Sequence, residues 1–346
     1  MRRFPAPSAA ALLLAGMVLA GLAGPAVGQP SLRRADLGRC TLENGNVIED
    51  CTIGYRTAGT LNATRSNAVL VPTWFSGTSA DLTGQLGPGG LVDTSRYFVV
   101  LVDALGNGVS ASPSTSTAQP DSAFPVFSVR DMVDTQRRLL TEPLNIDSLH
   151  AVMGLSMGGM QTFTWMTRYP GFMDKAVPLT GTPRLTPQGR LLWRAELRAF
   201  RVACAGSAGR RQAMRTIAAI HSLHLQTPRR LATMDSTAFR NFVEQQRAGV
   251  LDFDPYDWAW QLKAMLRHDV TDAFGGSIDA AAAAVEAEVL VVTVRQDHMV
   301  NPLPAQRFAE ARGAEQLVLD TPCGHLGLGC KADTVATTVR RFLRSN

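Results

Sequence analysis

The chain has 346 residues, with 34 lysines and arginines against 29 aspartates and glutamates, a formal net charge of +5. Its 45% hydrophobic content suits a globular protein with a sizeable core. Setting aside Arg2 and Arg3 leaves a mildly basic chain whose dispersed arginines argue against a nucleic-acid-binding face.

In chain order, Arg2 and Arg3 precede an apolar run from Ala9 to about Ala23, followed by the small residues Ala26-Val27-Gly28. This arrangement predicts a signal peptide over 1–28 and an exported, periplasmic or secreted protein. The alternative, an uncleaved membrane anchor, is disfavoured by a short run interrupted by glycines. No later segment could span a membrane. Export makes the five cysteines candidates for disulfides. The stretch from Cys40 to Cys51 reads as a hairpin, and a two-residue turn at Gly45-Asn46 would set Cys40 directly opposite Cys51. Cys323 and Cys330 flank His325 closely and would close a short loop around it, leaving Cys204 unpaired.

Strand-like runs follow at Thr52–Ala58, Asn67–Pro72, Tyr97–Ala104, Ser148–Leu155, Lys175–Leu179, Ala287–Val294 and Glu315–Leu319. Several are apolar throughout, as in strands buried on both faces of a mainly parallel sheet. Helix-like stretches alternate with them at Val129–Leu140, Met157–Tyr169, Pro304–Arg312 and Lys331–Leu343, which predicts a doubly wound α/β fold. The alternation stops between the fifth and sixth strand-like runs. Residues 185–286 therefore read as an inserted helical cap, with 29–184 and 287–346 forming the two parts of the core. Such a cap either covers an active site or only packs.

Gly154-Leu155-Ser156-Met157-Gly158 lies where a strand turns into a helix, the setting of a nucleophile elbow. The turn forces Ser156 into a strained conformation and leaves its Oγ exposed, beside the unpaired amides of a helix start. A serine nucleophile needs an acid and a histidine later in the chain. Asp297 follows the apolar strand Val289–Val294, at a strand's carboxyl end; the competing role is capping a helix near Pro302. His325 sits on a glycine-lined loop after the last strand, where the base is expected. His298 is a poor rival because it adjoins Asp297, and His150, His221, His224 and His268 read as structural. The loop Thr73-Trp74-Phe75-Ser76-Gly77 follows the strand ending at Pro72. Backbone N–H groups of Phe75 and Met157 are the candidate oxyanion donors, while the Trp74 and Phe75 side chains read as core packing.

Several segments resemble the homoserine O-acetyltransferase family of α/β hydrolases. Tyr55–Asn62 with Arg65–Ala68, Gly87–Gly89 through Asp93–Phe98, Phe124-Pro125 with Val129–Val133, Ser156–Gln161, and Phe253–Tyr256 with Ala264-Met265 carry the likeness. It implies an α/β-hydrolase fold with Ser156, Asp297 and His325 as the triad, and it places Arg215 in a cap stretch that carries a substrate-facing arginine in the family. Leu326 stands where the family's amine-binding aspartate would follow the histidine.

The expected chemistry is acyl transfer through an acyl-enzyme on Ser156, from a small-molecule acyl ester or thioester. Water as acceptor gives an esterase, the expected activity; a bound alcohol gives an O-acyltransferase using acyl-CoA. A non-catalytic binding protein on the same fold is the third reading, and the complete triad argues against it. No cofactor, metal or nucleic acid is expected, and a homodimer is the one assembly considered.

Overall fold

The computed structural model describes residues 30–202 and 206–345. The expected signal peptide and Cys204 lie outside the described residues.

Among the described residues there are ten strands: β1 (Arg33–Asp36), β2 (Cys40–Thr41), β3 (Val47–Ile48), β4 (Thr52–Ala58), β5 (Ala68–Pro72), β6 (Phe98–Val102), β7 (Leu149–Leu155), β8 (Met173–Leu179), β9 (Glu288–Val294) and β10 (Glu315–Leu319). Eight form one sheet in the order β1-β4-β6-β5-β7-β8-β9-β10. β1 and β4 run antiparallel at one edge, and from β6 to β10 all neighbours are parallel. All seven strand-like runs of the sequence lie in this sheet. β1 was not anticipated: its Arg-Arg-Ala-Asp sequence is mostly exposed, so a short edge strand carries no apolar run to announce it.

The central strands are hydrophobic on both faces because both faces are covered. In β5, β6 and β9, alternate residues enter opposite cores: Leu70, Val100 and Val291 point to one, Val71, Leu101 and Val292 to the other. Helices α1 (Val129–Thr141) and α2 (Met157–Arg168) close the first face through Met132, Leu139, Met160 and Phe163. On the second face the C-terminal helix, Ala332–Arg344, contributes Val335, Val339 and Phe342.

Between β8 and β9 the described residues form six α-helices: α3 (Pro187–Val202), α4 (Gly206–Leu225), α5 (Pro228–Ala232), α6 (Ser236–Asp252), α7 (Pro255–Leu266) and α8 (Ile278–Ala283). Their starts are written in the sequence. Thr227, Asp235, Asp254 and Ser277 each accept a backbone N–H of the first turn of α5, α6, α7 and α8, and Pro228 and Pro255 fit the first turns of α5 and α7. After β9 come α9 (Leu303–Arg312), α10 (Gly327–Cys330) and α11 (Ala332–Arg344).

Both expected disulfides are formed, Cys40–Cys51 and Cys323–Cys330. The hairpin that suggested the first differs from expectation, since Cys40 pairs with Ile48, not Cys51. The turn holds three residues, Glu43-Asn44-Gly45, with Gly45 at φ 82°, and is closed by Gly45 N–H to Leu42 O and Leu42 N–H to Asn46 O. Tertiary bonds select it: the Glu43 amide donates to Asp131 Oδ1 at the start of α1, and Asn44 Nδ2 donates to Val126 O. Cys51 reaches Cys40 by another route, its backbone pairing with Leu37 and Gly38.

Candidate active site

Four of the parallel strands deliver the site. The segments after β5, β7, β9 and β10 carry Phe75, Ser156, Asp297 and His325, all at carboxyl ends, where open α/β sheets gather their chemistry.

At the end of β7 the chain reverses into α2 at Ser156, which adopts φ 54° and ψ −115°, a conformation costly for any residue with a side chain. The turn is anchored by Ser156 N–H to Leu179 O and by Met160 N–H to Ser156 O. Its tightness dictates the flanking glycines: a Cβ on Gly154 would sit 2.4 Å from the Gly158 carbonyl, and one on Gly158 would sit 2.6 Å from Pro72 O. Both approaches are too close for any side chain, so the elbow needs glycine twice.

The Ser156 hydroxyl lies 2.9 Å from His325 Nε2, and His325 Nδ1 lies 2.7 Å from Asp297 Oδ2. With Nδ1 donating to the carboxylate, Nε2 is left as the acceptor for the serine proton. The other carboxylate oxygen of Asp297 accepts the Met299 and Val300 amides, 2.9 Å each. The aspartate therefore orders its own loop and orients the imidazole at once, and it does not cap α9, whose N-terminal residue Pro302 has no side-chain cap. The Asp297 side chain is 1% exposed and that of His325 9%, so little water competes for this chain of bonds.

The His325 loop is held from two sides. The Cys323–Cys330 disulfide closes it, and Thr227 Oγ donates to Pro322 O at 2.6 Å. Gly324, at φ 60°, lies so near the Leu225–Gln226 backbone that a Cβ would approach within 3.0 Å.

Met157 N–H opens α2 and has no intrahelical acceptor. In the Thr73–Gly77 loop the amides of Thr73, Ser76 and Gly77 donate to Val102 O, Gln261 Oε1 and Trp74 O; those of Trp74 and Phe75 have no acceptor among the described residues. The Phe75 and Met157 amides are thus among those left without an acceptor in the loop after β5 and at the start of α2, as oxyanion donors must be. The Phe75 ring is packed as expected, with its edge against Trp258 at 4.5 Å.

A family model of the alpha/beta hydrolase fold matches residues 75–329. A probable esterase of Corynebacterium glutamicum is 34% identical over 320 residues, covering 85% of this chain and 89% of its own length. A homoserine O-succinyltransferase of Leptothrix cholodnii is 30% identical over 339 residues, covering 82% and 88%. The chain belongs to the homoserine O-acetyltransferase-like α/β hydrolases. An ethyl acetate hydrolase of Pseudomonas veronii, 30% identical over 323 residues, covers 85% of this α/β hydrolase and 88% of its own chain. Among solved structures, the acetyl esterase MekB superposes with a TM-score of 0.84 at 27% identity, covering 92% of this chain and 98% of its own.

Elsewhere in this α/β hydrolase, the other histidines whose rings form hydrogen bonds have partners other than Ser156. His150 meets Leu343 O, His221 meets Glu196, His224 meets Ile220 O and His268 meets Thr182 O. Arg215 is not brought to the triad's hydrogen bonds. It is exposed on α4, whose buried face carries Ala213, Met214, Ile217 and Ala218. Arg215→Ala is accordingly expected to leave kcat/KM for p-nitrophenyl acetate within about twofold of wild type. A loss of tenfold or more in steady-state rates would return Arg215 to the site. Leu326 is partly buried against the larger core cluster.

Proposed function

We propose that this chain is an exported serine hydrolase of small acyl esters, with Ser156 as nucleophile, His325 as general base and acid, and Asp297 as the orienting carboxylate. The observation that carries the reading is the unbroken path from Asp297 Oδ2 through His325 to Ser156 Oγ. Ser156 Oγ attacks the ester carbonyl while its proton passes to His325 Nε2. The tetrahedral oxyanion takes hydrogen bonds from the Phe75 and Met157 amides, and collapse expels the alcohol, which receives the proton from His325. Water then adds to the acyl-serine by the same route, releasing the carboxylic acid and restoring Ser156.

The named hydrolases among the relatives support water as acceptor, as does Leu326 at the position where the family likeness calls for an amine-binding aspartate. Transfer to an alcohol is the second reading, favoured by the homoserine O-succinyltransferase relative. The helices between β8 and β9 act as the cap that shields the acyl-enzyme. Export is supported by the leader-like residues 1–28 and by two disulfides that an oxidising compartment would preserve.

The deciding experiment uses the mature protein with p-nitrophenyl acetate, and separately with acetyl-CoA plus homoserine. Hydrolysis with an acetyl adduct trapped on the Ser156 peptide is expected. Transfer to homoserine without ester hydrolysis would overturn the hydrolase reading and leave the transferase.

A further inference from the structure

The Phe75 amide can serve an oxyanion only if the loop that carries it is fixed, and that loop is gripped at two points of different origin. On the core side, Thr73 is tied three ways: its N–H donates to Val102 O at 3.1 Å, its Oγ accepts the Ala104 amide at 3.0 Å, and its carbonyl accepts Gln161 Nε2 at 3.0 Å. Gln161 belongs to α2, the helix that begins at the serine turn, so the two oxyanion amides share one framework.

On the other side the grip comes from the helical insertion. Gln261 of α7 is fully buried; its Oε1 accepts the Ser76 amide at 2.9 Å and its Nε2 donates to Leu105 O at 3.1 Å. Ser76 sits at φ 60°, which costs energy for a serine and persists only where neighbours hold it. The amide that Gln261 holds is the one immediately after Phe75. The Phe75 ring is fixed by the same layer, lying against Trp258 of α7, with Trp193 of α3 and His221 of α4 about 6 Å away, at 6.1 and 6.0 Å between ring centroids.

We propose that Gln261 is a positioning residue for the oxyanion site, through which the insertion sets the aim of the Phe75 amide as well as covering the serine. The proposal rests on the serine-hydrolase reading above. Both amide atoms of Gln261 are used, one on the oxyanion loop and one on the segment after β6, so the side chain is a strut between two core loops. Without it, the partly buried Ser76 amide is left without an acceptor and the left-handed turn loses its restraint. A shift of well under 1 Å then weakens hydrogen bonds to the tetrahedral oxygen more than contacts to the ground-state ester.

Gln261→Leu removes both hydrogen bonds at nearly constant volume, and Gln261→Met carries the same expectation should the leucine variant fail to fold. For p-nitrophenyl acetate, kcat is expected to fall about 10- to 100-fold with KM within about twofold, a part of the loss seen when an oxyanion donor is deleted. Affinity for a boronic acid, whose adduct on Ser156 places an oxygen in the oxyanion site, should fall by the same factor as kcat. The control is Trp260→Phe on the same helix, which deletes the Trp260 Nε1 bond to Phe124 O and leaves the oxyanion loop untouched. It should lower thermal stability while keeping kcat within about twofold. Wild-type kcat and boronate affinity in a folded Gln261 variant would overturn the proposal, as would an equal kcat loss in Trp260→Phe. Full activity of Ser156→Ala would instead remove the hydrolase reading itself.

Discussion

Ser156→Ala is expected to lower kcat/KM for p-nitrophenyl acetate by about 10⁴-fold or more, leaving only the residual rate that binding and an oxyanion site give without a nucleophile. The same position makes a second, opposite expectation about stability. Ser156 is held at φ 54° and ψ −115°, and an alanine keeps the Cβ that makes this conformation costly. A glycine does not. Ser156→Gly should be as inactive as Ser156→Ala yet more stable than it by about 1 kcal/mol, the strain relieved exceeding the extra chain entropy that glycine loses on folding. Thermal unfolding of the two inactive variants isolates this difference, because both have lost the bond to His325 Nε2. A less stable glycine variant would mean that the elbow is not strained, and an alanine variant retaining a tenth of the wild-type rate would mean that Ser156 is not the nucleophile.

The elements that proved legible are those whose signals are local and repeated. The central runs that became β5, β6, β7 and β9 were visible because a strand covered on both faces is apolar at nearly every position, and the elbow because two glycines are required within five residues. Asp297 and His325 could be picked out because each lies on the segment that follows a strand-like run. Features set by contacts distant in sequence were not legible. The Cys40 hairpin took another register because the start of α1, some 88 positions away from Glu43, captures its turn. Gln261 meets Ser76 across 185 residues, and nothing in Trp-Ala-Trp-Gln-Leu marks this glutamine as different from one on any other helix. Arg215, to which the family likeness pointed, lies exposed on α4, and its part in binding is left to the Arg215→Ala measurement.

The helix that carries Gln261 is also expected to make the protein's stability depend on pH. Asp257, in the first turn of α7, is buried, and burial pushes its carboxyl up to about 7, with nearby Asp254 and Asp121 acting in the same direction and the Ser114 hydrogen bonds opposing. Ser114 holds both oxygens, its amide donating to Oδ1 at 2.9 Å and its hydroxyl meeting Oδ2 at 2.5 Å. In the unfolded chain the same group ionises near pH 4, at about 3.9. Between these values the folded protein binds the extra proton, so its stability is greatest below about pH 4 for this group and declines as pH rises through about 7. Asp257→Asn removes the titration while keeping a hydrogen-bonding side chain opposite Ser114. The variant should therefore be more stable than wild type by roughly 2–4 kcal/mol at pH 8.5, with the gap closing to within about 1 kcal/mol at pH 4. Urea unfolding at the two pH values measures it, and a gap independent of pH would refute the raised ionisation. Because α7 also presents Gln261 and Trp258 to the oxyanion loop, ionisation of Asp257 is expected to weaken the support of the Phe75 amide as well as the fold. The decline of kcat above pH 7.5 should then be shallower in Asp257→Asn than in wild type.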